Sequence, residues 1–153
     1  MSTQLLDMWR NKIHESTEMF ESLGANMAME PVAPGKNRVI YLLGHLLVIH
    51  DAIFDSLELG KRRYAHYDVL FLTPQHPANA YPPFGLLLQE WIVLNEDLTR
   101  QLSSLSHSQW QSKLHYVSEA DFILKPYKNR FCGFQCLITH LYHHSGQMEL
   151  IRT

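Results

Sequence analysis

At 153 residues the chain has the length of a single domain that can bury a substantial core without disulfides. Thirteen Lys and Arg against fifteen Asp and Glu leave a net charge of −2, and only Lys61-Arg62-Arg63 cluster, which argues against a nucleic-acid surface. The opening stretch MSTQLLDMWRNKIHE carries acids and no long apolar run, so neither a secretory leader, a membrane span nor a membrane partner is expected. With only Cys132 and Cys136, four apart as on one helix face, the expectation is a cytoplasmic protein with reduced thiols.

From about Thr3 to Leu23, the residues Leu6, Trp9, Ile13, Phe20 and Leu23 recur at helical spacing and predict helix one. Gly24 and the stretch Glu30-Pro31-Val32-Ala33-Pro34-Gly35 end it and stiffen the link. Asn37 is the expected cap of helix two, which runs from about Arg38 to Leu59 and is stopped by Gly60 in a left-handed position. His45 interrupts its apolar run of Val39, Leu42, Leu46, Ile49 and Ile53, and Gly44 lets another backbone come close. His50, five residues further on, points elsewhere and is expected at the surface or rim.

Lys61 to Pro83 shows no sustained period and is rich in aromatics and proline, with His66 and His76 among them. A connection this long joins parallel neighbours or covers a site, so helices two and three are expected to run parallel, with this segment at the mouth of a pocket. Pro82 and Pro83 open helix three, whose stripe Phe84, Leu87, Trp91, Leu94, Leu98, Leu102 and Leu105 contains no histidine. Ser106 to Arg130 is mixed, with short turns expected at Ser108 to Leu114 and Ser118 to Leu124. Phe131 to Thr153 is helix four, with Phe134, Leu137, Leu141, His144, Met148 and Ile151 on one buried stripe. No repeat or linker divides residues 1–153, so the expectation is one all-α domain, a four-helix bundle with long links.

The histidines carry the chemistry. An imidazole at the core position of His144 needs a partner. His140 lies one turn earlier on the same face, and His45 stands on another core-facing stripe. Spacing leaves two readings open: a shared metal ion, or core histidines that only hydrogen-bond. Three imidazoles on one ion leave a position open for water, thiol or substrate, which suits transfer or hydrolysis, and imidazole also suits iron, nickel and copper. Cys136 precedes His140 by one turn and is close enough to line such a site, but core packing is the expectation for it and for Cys132. His143 is placed at the rim, and Tyr41 and Tyr142 in the core. No nucleophile elbow or phosphate-cradling glycine loop is present, which sets aside serine hydrolases and nucleotide binders.

The Gly44-His45-Leu46 string and the run His140-Leu-Tyr-His143-His144-Ser-Gly146-Gln147, followed by apolar residues and Arg152, resemble the DinB-like (DinB/YfiT) superfamily of metalloenzymes. The likeness covers the chain from the helix-two histidine onward. It implies an up-down-down-up four-helix bundle with a long crossover between helices two and three, and a metal triad of His45, His140 and His144. It further implies a divalent ion, with zinc or nickel foremost and iron or manganese next, a low-molecular-weight thiol as cofactor, and a homodimer. The chemistry it suggests is thiol transfer to a small electrophile, or hydrolysis by activated water. The alternative is a non-catalytic dimeric bundle that binds or supports other molecules.

Overall fold

The apolar periods become four long helices, with three short ones in the connections. In chain order they are α1 (Thr3–Met27), α2 (Val39–Ser56), α3 (Asp68–Phe71), α4 (Phe84–Ser104), α5 (His107–Gln111), α6 (Glu119–Leu124) and α7 (Arg130–Glu149). The computed structural model describes residues 3–73 and 80–152, and among them all regular structure is helical, apart from two isolated bridges, Pro31 with Arg38 and Lys113 with Asn129.

α2 is the centre of the fold. It packs on α4 and on α7, and α1 packs on the same two helices. An 18-residue helix with mean hydropathy 1.4 is long and apolar enough to cross a bilayer, but 61% of this one is buried within the chain, so the protein core already accounts for its apolar residues. The predicted α4 stripe is inside from Phe84 to Leu102, with Leu105 partly covered. Burying two tryptophans between α1 and α4 leaves two indole N–H groups to satisfy. They are matched reciprocally: Trp9 Nε1 donates to Thr99 Oγ1 and Trp91 Nε1 to Thr17 Oγ1, each at 2.9 Å.

Helix ends follow the sequence in part. Gly24 breaks α1 with φ 62°, as its position predicts. Asn129, whose side chain accepts from the Cys132 amide, starts α7. Asn37 does not cap α2. Arg38 holds that place with no side-chain hydrogen bond. Nor does Gly60 stop the helix: the turn comes earlier, where Glu58 takes φ 52° and the amides of Glu58 and Leu59 return to the Asp55 and Phe54 carbonyls at 3.1 and 2.8 Å. A left-handed glutamate is costly, and here its carboxylate is engaged by Arg130 and His115, which lie far along the chain.

The first long connection is not featureless. A 3₁₀ turn at Ala65–Tyr67 leads into α3, and both lie on α2. Its start is clamped by the buried Asp51 carboxylate, which accepts from Arg62 Nε at 3.1 Å and from the Arg63 and Tyr64 amides at 2.7 and 3.0 Å. Arg62 also makes a two-pronged contact with Asp68. Two members of the one basic cluster in the sequence therefore face carboxylates, Arg63 meeting Asp97. Gly44 admits not a backbone but the Phe71 ring: a Cβ there would sit 2.2 Å from that ring.

Candidate metal centre

Two helices bring the three histidines together. His45 comes from α2, and His140 and His144 from successive turns of α7, with ring centroids 4.4 to 5.1 Å apart. His140 Nε2 lies 3.2 Å from His45 Nε2 and 3.0 Å from His144 Nε2. All three candidate ligand atoms fall within 4.8 Å of one another. Tetrahedral ligation at about 2.0–2.1 Å places neighbouring nitrogens roughly 3.3 Å apart, close to the two shorter separations.

The hydrogen bonds behind the rings decide which way the lone pairs point. The Phe71 carbonyl can only accept, so His45 Nδ1, 2.8 Å away, carries its proton and Nε2 is left bare. His144 Nδ1 donates in the same way to Gln147 Oε1 at 2.8 Å, which bares its Nε2 as well. Both bare nitrogens face His140 Nε2. A proton on that atom can serve one of them and not both, whereas a cation serves all three. His140 Nδ1 is buried with no protein partner, so nothing on its far side fixes this ring's tautomer. The donor set, three neutral imidazoles with two tautomers locked from behind, fits a divalent metal ion.

Electrostatics favour the neutral forms of His140 and His144. Burial, reinforced by the neighbouring His144 and His45, pushes the His140 pKa down to about 4. Burial also lowers His144, against a smaller opposing effect of its bond to Gln147. Tyr41 stacks on His45 with centroids 5.9 Å apart and donates its hydroxyl to the Thr73 carbonyl at 2.9 Å, as a packed core aromatic should. Burial raises its pKa.

An apolar cavity of about 430 Å³ reaches the centre at His140, enclosed by α2, α7 and the segment between α5 and α7. Cys132 and Cys136 are on its wall, the first half-buried and the second exposed, and neither belongs to the histidine group. The expectation of core packing for them fails because this half of α7 borders a hollow. A larger hollow of about 540 Å³ between α1 and α4 touches none of the three histidines.

Other placements differ from the sequence reading. Tyr142 is 42% exposed, with the Lys12 ammonium over its ring, rather than in the core. His143 is at the rim as expected, 3.2 Å from the Gln147 amide nitrogen. His66 is exposed and stands outside the group, and His76 lies outside the described residues. His50 is fully buried, not at the rim: it is set against Trp9 and Trp91, and its Nδ1 is 2.7 Å from Asn95 Oδ1. Two functional contributions escaped the sequence. Gln147, one turn after His144, was findable from its spacing, but the Phe71 carbonyl was not.

Both supports make predictions. Gln147→Leu removes the acceptor behind His144 and should weaken metal binding about 10- to 100-fold, read by competition with a chromophoric chelator, with the fold unchanged by circular dichroism. Gly44→Ala must displace the Phe71 ring, at a cost of about 1–3 kcal/mol in urea unfolding. By shifting the Phe71 carbonyl it should also loosen His45 and lower metal affinity by a comparable 10- to 100-fold. No protein-family model matches the chain, and no curated protein matches it, so function rests on this geometry.

Proposed function

We propose that the protein is a divalent-metal-dependent enzyme of the DinB-like kind, a homodimeric, cytoplasmic four-helix bundle connected up-down-down-up. His45, His140 and His144 hold the ion, zinc or nickel foremost with iron or manganese next. When bound, such an ion supplies Lewis acidity and lowers the pKa of a coordinated thiol or water. The chain's own residues do the rest. Phe71 and Gln147 hold the two outer imidazoles as lone-pair donors, and the apolar cavity beside His140 holds the reacting molecule out of water. The reaction class is transfer of a small thiol to an electrophile, with hydrolysis as the neighbouring possibility.

The observation that carries this reading is the convergence of three Nε2 atoms with two tautomers fixed from behind. The short nitrogen contacts also favour a second reading, in which the rings only hydrogen-bond inside a non-catalytic dimeric bundle. That arrangement leaves one of the two contacts without a proton, which makes it the weaker account. A screen of metal-reconstituted protein against low-molecular-weight thiols paired with electrophiles, and against simple esters, separates the two. Metal-dependent turnover absent from His144→Ala supports the enzyme; a protein that takes up no metal and shows no turnover under any pairing supports the binding module.

A further inference from the structure

The cavity beside the metal centre has a chemistry of its own. Its walls are aliphatic, with Ile49 and Ile53 from α2 facing Leu114 and Leu137. Tyr116 and Tyr127, 73% and 62% exposed, stand at its edge, so aromatic surface is presented to solvent at an opening rather than buried. Among the described lining residues Lys128 is the only fully charged one. Arg130, two residues on, is turned to Glu58 instead. A hollow of about 430 Å³ lies within the range of small-molecule sites, about 300–1,000 Å³, which combine apolar walls with a few polar groups that fix orientation.

We infer that this cavity binds a small aromatic or branched aliphatic monocarboxylate, its apolar body between α2 and α7 and its carboxylate at Lys128, with the opposite end reaching His140. Charge complementarity selects the class: a cation at the edge of an otherwise apolar hollow favours an amphiphile of opposite sign over a neutral or dianionic molecule. The wall chemistry agrees. Burial and the adjoining Cys132 raise the Cys136 thiol, so Cys136 presents neutral, apolar sulfur to the ligand. The inference deepens the enzyme reading by naming what lies beside its centre, yet it can be tested without metal.

Phenylbutyrate and its uncharged isostere phenylbutyramide are the probes, titrated calorimetrically into metal-free wild-type protein. Saturable binding of the carboxylate, about fivefold or more tighter than the amide, is expected, and Lys128→Gln should erase that difference while leaving amide binding in place. Ile53→Trp fills the hollow and should abolish binding of both. Cys136→Phe does the same from an exposed position, which guards against a folding failure in the first variant. No saturable binding to wild type, equal binding of the two probes, or unchanged binding in a folded blocking variant overturns the inference. Probe binding that survives in a protein unable to take up metal leaves the cavity standing and removes the enzyme. Metal uptake with no probe binding does the reverse.

Discussion

His45→Ala is expected to reduce metal affinity by about a hundred- to a thousandfold. Structural zinc sites bind with about 10–16 kcal/mol in total, so one of three or four ligands accounts for roughly 3 kcal/mol, which is two powers of ten or more. The ring is half-buried and fixed by one carbonyl, so its loss should leave the helices assembled. His140→Ala should behave alike, and His45→Ala combined with His140→Ala should be no worse in folding than the sum of the two. Dialysis against excess zinc followed by elemental analysis gives the check: near one equivalent for wild type and less than a tenth for each variant under competition. A variant that keeps a full equivalent at wild-type affinity would mean the ion sits elsewhere.

Acid should unfold the metal-free protein well before its carboxylates are protonated. Burial drives the His50 pKa down to about 3, outweighing its bond to Asn95, with His140 and His45 adding a smaller push in the same direction. The folded state therefore needs a neutral ring, while the unfolded chain takes up a proton near pH 6.5. Stability is full above that pH and falls as pH drops toward 3, by about 1.4 kcal/mol per unit, or about 5 kcal/mol across the window. His140, lowered to about 4, and His144, also lowered, act in the same sense. Urea unfolding between pH 7 and 4 reads the slope. The pair His50→Leu and Asn95→Leu together removes the titrating ring without stranding its partner, and should flatten the curve. An unchanged slope in that double variant would show that His50 does not titrate as its surroundings require.

How much of this was legible in the sequence depends on what fixed each feature. The α4 stripe and the α7 stripe were readable because a 3.6-residue period needs only local residues and one core to face. The three histidines were readable as a group for the same reason, since His140 and His144 share a face and His45 interrupts a stripe. His50 was misplaced because a single buried face was assumed for α2. That helix packs on α4 as well as α7, so turning away from His45 leads to a second interior. The end of α2 was misread because Gly60 is the local favourite, whereas the left-handed Glu58 is held by Arg130 and His115, partners no local pattern reveals. The carbonyl behind His45 is a backbone atom and has no signature in residue type at all. Gly44 was a hint of close approach, but not of whose.

If three imidazoles share one ion between α2 and α7, anomalous diffraction from crystals grown with zinc or nickel will show it. One dominant peak is expected within about 2.0–2.2 Å of the Nε2 atoms of His45, His140 and His144. Ordered crystals with those three rings in place and no peak among them, or with the peak at other residues, would contradict it.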